Sequence, residues 1–210
     1  MLNFIKKFIE NLIYGKKRGG LYDEKDVRNF GSSALYTPKK EDLVNETFIV
    51  FDPTPLDQYD SDFCVGFGGA YQGEATEGRV CSGAYLFAMA KKLQGTFTTW
   101  GTSILQMCRA RQKFGVCKKE LWDYKAGKRD YFANWDNIPI EAHKDAEEHK
   151  SSSYWELNIP FGWSIFDAIR AHLWHFKDQK VFIDTGNNAH NITVIGYSRE
   201  RGSLICKDSY

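Results

Sequence analysis

A surplus of charge of either sign is what this chain lacks first: 28 Lys and Arg stand against 27 Asp and Glu, a formal +1 over 210 residues. So balanced a surface makes no bulk field to draw the protein to nucleic acid or to an acidic membrane, and no nucleic-acid partner is expected. Long apolar runs are missing too. No stretch reaches the roughly 18–20 residues that a membrane-spanning helix needs, so no transmembrane segment is expected. The five cysteines, at 64, 81, 108, 117 and 206, form no CxxC pair and no regular spacing. That argues against a zinc site or a disulfide framework and points to a cytoplasmic or otherwise reducing compartment. There is no internal repeat and no low-complexity tract. What the chain does have is 42% hydrophobic and 15% aromatic residues, enough for one core or for two small lobes sharing a groove.

The N-terminus carries a pattern of its own. Leu2, Phe4, Ile5, Phe8, Ile9, Leu12 and Ile13 recur at helical spacing with Lys6, Lys7 and Glu10 between them, which predicts an amphipathic helix. The interleaved charges argue against a secretory signal. A basic stretch follows, Lys16-Lys17-Arg18-Gly19-Gly20. The helix is expected to bury its apolar face on the body or on another subunit; a removable pro-segment, an assembly tether and a surface anchor are the alternatives.

Residues 21–46 read as an extended arm over the surface. Thr47 to Phe51 is β-branched and reads as a strand ended by Pro53 and Pro55. A helix should begin near Phe63 with Ser61 or Asp62 as its cap, which places Cys64 in the first turn. Further helices are expected from Ser82 to about Gly95, from Thr102 to Phe114 with Ser103 and Gln106 at capping-box spacing, over residues 140–150, and from Ser164 to Phe176. Short strands are expected over Tyr154–Ile159, Lys180–Asp184, His190–Tyr197 and Ser203–Lys207. Helices first and antiparallel strands later make an α+β layout of two lobes with a cleft between them.

A cysteine reacts as its thiolate, which a helix N-terminus and a neighbouring imidazolium both favour. Cys64 meets the first condition by sequence. His190 opens a strand on which His190, Ile192, Val194 and Gly196 share a face by the period of two, so its side chain stands at a rim from which it reaches a groove. The spacing of these two residues does not by itself single them out.

The motifs around them do. "DQYDSDFCVGF" places Gln58 six residues before Cys64 and resembles the segment of papain-like cysteine peptidases in which a Gln precedes the nucleophile at the head of the central helix. "HNITVIGY", from His190, is similar to the family's His strand, and "LICKDSY", from Leu204, to its strand ending Asn-Ser-Trp. The stretch Ser82–Tyr124 resembles the bacterial and viral branch. The resemblance implies a papain-like two-lobed fold and a peptidase acting on protein or peptide, without cofactor or metal. It implies Cys64 as nucleophile, His190 as base, Gln58 as oxyanion donor and Asp208, where the family has Asn, as the group that orients His190. Its domains are then 1–20 as an amphipathic helix and basic arm, 21–150 as an extended arm and mainly helical lobe, and 151–210 as a mainly antiparallel β lobe lacking the family's last strands. Ser61 stands where secreted relatives often have a disulfide cysteine, and Tyr210 replaces the Trp that shields the Asn–His contact. Self-processing near Gly19-Gly20, an assembly partner for the N-terminal helix and attachment to a virion are further expectations. Two other functions stay open: a thiol amidase or isopeptidase, and a structural or binding protein that keeps the fold without the activity.

The remaining motifs have plainer readings. Gly66, Gly68 and Gly69 fail the GxGxxG pattern at Tyr71 and read as close helix packing. His172 and His175 have no carboxylate frame for a metal, and His143 and His149 read as solvated. Cys81, Cys108, Cys117 and Cys206 read as core or partly buried thiols. The tryptophans read as core or groove lining, because no basic stripe accompanies them.

Overall fold

The computed structural model describes residues 20–21, 36–180, 183–187 and 190–210. The amphipathic N-terminal helix and most of the extended arm lie outside the described residues. In chain order the elements are β1 (Gly20–Leu21), β2 (Phe48–Ile49), α1 (Cys64–Glu77), α2 (Gly83–Gln94), β3 (Thr102–Ser103), α3 (Ile104–Phe114), α4 (Arg129–Ala133), α5 (Ile140–Glu147), α6 (Ile165–His175), β4 (Ile183–Asn187), β5 (His190–Ser198) and β6 (Ser203–Lys207).

Helix α1 is buried along most of its length, and its small residues are what permit this. A Cβ on Gly66 would lie 2.3 Å from the Gly83 carbonyl oxygen, and one on Gly68 would lie 2.2 Å from Asn191 Nδ2. The Gly83 oxygen is backbone and cannot swing aside, so α2 approaches α1 this closely only because residue 66 is glycine, and at Gly68 any Cβ would force the Asn191 side chain of β5 to move. Around α1 the side chains of Phe63, Phe67, Leu86, Phe87, Met89 and Met107 form the main core. Ser82 and Ser103 cap α2 and α3 as side-chain acceptors from Tyr85 N and Gln106 N.

Strand β5 organises the sheet. β6 pairs antiparallel along one edge; on the other, β4 takes the first half and β2 the second. Thr193 and Asn191 meet α1 at Gly68, whereas Val194 packs with Ile169 and Leu173 of α6. The sheet is thus sandwiched between the helical core and α6, an α+β arrangement as expected. Asp184 of β4 sits in the seam, accepting from Thr193 Oγ1 (2.6 Å) and Gln72 Nε2 (2.7 Å). Burial, opposed by these donors, pushes its carboxyl up to about 6.

Several local expectations fail for tertiary reasons. Thr47–Phe51 is strand only at Phe48–Ile49, because β2 meets β4 end to end on β5: Ile49 faces Gly196 and Ile183 already faces Val194. Lys180 is no strand residue; it closes a 3₁₀ turn over Lys177–Gln179 with a φ of 53°, and β4 starts at Ile183. Among the described residues Tyr154–Ile159 forms no strand beyond a single bridge at Glu156, and Trp155 and Ile159 are exposed (42% and 47%). The alternation of β5 breaks at Ile195, an extra residue between the pairs Val194↔Cys206 and Gly196↔Ile205, so Gly196 leaves the face of His190, Ile192 and Val194. Of the arm, residues 40–42 form a 3₁₀ turn.

Candidate active site

The sequence places Cys64 at the head of α1, and the fold does the same. It is buried (1% exposed), at a helix end whose free N–H groups favour negative charge nearby. Its expected caps do other work: Phe63 takes the cap position without a side-chain hydrogen bond, and Ser61 Oγ donates to the Gln58 carbonyl.

The fold brings His190 to this end of the helix. His190 Nε2 pairs with Asp208 Oδ1 at 3.0 Å, and Nδ1 is buried without a hydrogen-bond partner. That leaves Nδ1 as the nitrogen able to accept a proton, with Nε2–H donated to the carboxylate. Burial pulls the imidazole pKa down, but the hydrogen bond to Asp208, followed by the interaction with Cys64, more than reverses this and raises it to about 9. Asp208 is itself anchored from below. Tyr71, two turns along α1 from Cys64, donates its hydroxyl to the Asp208 carbonyl at 3.0 Å, so one helix positions both the thiol and the strand end that carries the carboxylate.

Gln58 joins the cluster through the chain around Asp208. Its N–H donates to the Ser209 carbonyl (2.8 Å), and its Oε1 accepts from Ser209 Oγ (2.5 Å). Its amide nitrogen, expected to point at the reacting carbonyl, instead donates to the Ser61 carbonyl (2.8 Å) and to Tyr210 Oη (3.0 Å). The Tyr210 ring lies 5.2 Å from that of His190, where a shield for the His190–Asp208 contact is expected to be. All four expected site residues, 58, 64, 190 and 208, therefore converge, with Ser209 and Tyr210 added. Ser209 lay within the quoted motif and was legible there.

A second cluster next to Cys64 carries no sequence signal. Asp62, 0% exposed, accepts from Arg129 Nε and Nη2, both at 2.9 Å, and from the Gly101 N–H. Arg129 also donates to the carbonyls of Phe97 (2.6 Å) and Thr99 (2.7 Å), while buried Lys91 donates to Thr99 Oγ1 (2.6 Å) and to the Gly101 carbonyl (2.8 Å). Burial, then Arg129, lower the Lys91 pKa to about 8 against the pull of Asp62. One carboxylate thus ties residues 97–101 to the residue two before Cys64. Asp62→Asn would leave buried Lys91 without its nearby anion and Arg129 with only the exposed Asp130 (2.9 Å), and is expected to cost about 3 kcal/mol. Urea unfolding at neutral pH measures this, and a loss below about 1 kcal/mol would show the cluster to be solvated.

Other candidates resolve into structural contacts. His143 Nδ1 pairs with Tyr85 Oη (3.1 Å) and His149 Nδ1 with Glu77 Oε2 (2.8 Å), so neither is simply solvated. His172 Nδ1 pairs with the Ala168 carbonyl (2.8 Å), and the Tyr36 ring stacks on His175. Cys81 and Cys117 are buried and Cys108 half-buried, but Cys206 is exposed, contrary to the core reading; the outer edge of β6 leaves it uncovered.

No family model matches the chain, and no curated protein matches it. A solved structure does: that of xylellain, a cysteine protease from Xylella fastidiosa, superposes with a TM-score of 0.67 over 92% of this chain and 85% of that one, at 17% sequence identity. The fold is papain-like. At so low an identity the likeness speaks for architecture, and within the papain-like fold the chemistry has to be argued from the cluster around Cys64.

Proposed function

We propose that this protein is a papain-like cysteine hydrolase that cleaves peptide bonds through a thioester on Cys64. The observation that carries this reading is the His190 ring, hydrogen-bonded to Asp208 through Nε2 and coupled to Cys64 with Nδ1 unpartnered. In this reading Nδ1 takes the thiol proton, the sulfur attacks the carbonyl carbon, and the C–O π pair moves onto oxygen. The tetrahedral adduct collapses as His190 passes its proton to the departing amine. A water then gives its proton to Nδ1, attacks the thioester, and releases the carboxylate and Cys64. Asp208 keeps Nε2–H oriented and stabilises the imidazolium throughout.

The substrate we propose is protein or peptide, and self-processing near Gly19-Gly20 belongs to the same proposal. β1 pairs parallel to β3 at Thr102 and Ser103 and also runs beside β5, the strand that carries His190. A partner for the N-terminal amphipathic segment, a reducing compartment and a virion-associated location remain parts of this proposal.

Reaction with iodoacetamide at pH 7, resolved by mass spectrometry for each cysteine, tests the site. Cys64 is expected to react ahead of Cys206, although Cys206 is the exposed thiol. The same sample, incubated with a peptide library, should yield new peptide ends, and its own N-terminus is read in the same spectra. Alkylation of Cys206 first, with Cys64 inert and no peptide cut, would favour a protein that keeps the fold for binding or structure.

A further inference from the structure

Nine large apolar side chains stand exposed among the described residues, and four of them, Trp155, Ile159, Phe161 and Ile165, fall in the stretch that leads into α6. Phe161 is wholly solvated, at 106% exposure. Single apolar residues on a surface are ordinary, but a group of this size in one stretch marks a face that another surface covers. The stretch is a built turn: the Trp163 N–H donates to the Pro160 carbonyl (3.0 Å), and Ser164 caps α6. Its charge is one-sided as well. Between 151 and 169 the only charged side chains are Glu156, which is exposed, and Asp167, which pairs with Arg170 at 3.5 Å.

The chain itself carries the complement. Residues 1–19 precede β1, with Leu2, Ile5, Ile9, Leu12 and Ile13 on one side of a helical wheel and with Lys6, Lys7, Lys16, Lys17 and Arg18 against Glu10. The places where the described chain resumes set the reach. β1 lies beside β5, on which α6 packs. Tyr36, at the end of the arm, stacks on His175 of α6 and borders a hollow shared with Asn158, Ile159 and Pro160. Residues 22–35 therefore already carry the chain from β1 to this turn, and the stretch before β1 is longer. Residues 14–19 extended span about 20 Å and a helix over 2–13 adds about 18 Å, together the width of a domain whose radius of gyration is about 17 Å. We propose that the apolar face of the N-terminal segment docks as a helix on the Trp155–Ile165 surface of the same chain. Tethering gives the segment an effective concentration on the order of millimolar, so a small apolar face holds it. This names the partner of the N-terminal segment and stands apart from the chemistry at Cys64.

The test uses the full chain carrying Cys64→Ala, which keeps the N-terminus attached whether or not the wild type cuts itself, and follows tryptic cleavage after Lys6 and Lys7 by mass spectrometry. Cleavage there requires the docked helix to lift off, so its rate reports the undocked population. Phe161→Ser, at a side chain that no neighbour covers, leaves the fold alone and is expected to speed this cleavage about tenfold. Ile9→Ser should do the same from the other side of the contact, and the two together should exceed either alone by no more than about twofold, because both remove one interface. Deuterium uptake over 155–165 should rise in each variant together with the cleavage rate. Equal cleavage rates with and without Phe161→Ser would overturn the proposal. So would protection that grows with protein concentration alongside a dimer mass in light scattering, which assigns the surface to a second copy. Rapid cleavage that slows only when vesicles of phosphatidylcholine and phosphatidylserine are added would overturn it too and make the segment a surface anchor.

Discussion

Cys64→Ala is expected to lower peptide hydrolysis by about four orders of magnitude or more, to the level that binding alone sustains. No other group in the cluster can replace the sulfur. His190 Nε2 is held by Asp208, and a water activated by Nδ1 would have to attack an unactivated amide with no covalent intermediate to divide the barrier. The substitution leaves the fold nearly intact, because it removes a single heavy atom from a side chain among the core residues of α1; the stability loss should stay near ~1 kcal/mol. Initial rates on a cleaved peptide, beside thermal unfolding of the same preparations, check both halves. Equal turnover by wild type and variant would sink the nucleophile assignment.

His190 is the second large effect, and it carries a pH signature. His190→Ala is expected to cost nearly as much rate as the loss of the thiol, since members of such a unit fail together. With Asp208 in place, the imidazole pKa is raised to about 9 from an ordinary value of 6.5. A rate that depends on the imidazolium then holds on the alkaline side until pH nears 9. Asp208→Asn removes the charge and keeps an acceptor for Nε2–H, so the alkaline limb of kcat/KM should move down by about one pH unit or more. Stability follows the same sign. Because the folded-state pKa lies above the unfolded one, the contribution is complete below pH 6.5 and disappears as pH rises through about 9. On the order of 1–3 kcal/mol is at stake for this mostly buried ring. Urea midpoints of wild type and Asp208→Asn, compared at pH 6 and above pH 9, should converge at the higher pH; a constant gap would count against this coupling.

Why some of this was legible before any coordinates can be traced to particular residues. Ser103 and Gln106 announce the start of α3, and Ser82 that of α2, because a cap is a contact between residues three apart. Cys64 at the head of a helix follows from the turn formers before it and the small residues after it. The close packing of α1 was readable from Gly66, Gly68 and Gly69, and the structure buries the helix along most of its length. Where the reading failed, a distant competitor decided. Asp62 looks like a cap until Arg129, 67 residues on, claims both of its oxygens. Val50 and Phe51 have the composition of a strand, but past the bond from Val50 N–H to the Ile195 carbonyl (2.8 Å) the stretch of β5 that Phe51 would face already belongs to β4. Gln58 had the right spacing for an oxyanion donor, yet its second proton goes to Tyr210, 152 residues away.

By itself the amino-acid order determined helices α2 and α3 with their caps, the place of the thiol at a helix start, the strand that begins with His190, and the succession of motifs from Gln58 to Asp208. Each of these depends on neighbours within a turn or a strand of chain, the range over which backbone geometry and side-chain chemistry act on their own. Tertiary structure alone decided which proton donor meets which acceptor around the sulfur, and so the free Nδ1 of His190, the Tyr210–Gln58 contact and the Asp62–Arg129–Lys91 cluster. Those partners are distant in sequence and meet only when α1 packs against β5. The glycines at 66 and 68 allow that approach, but which side chains it brings face to face is set by the whole fold.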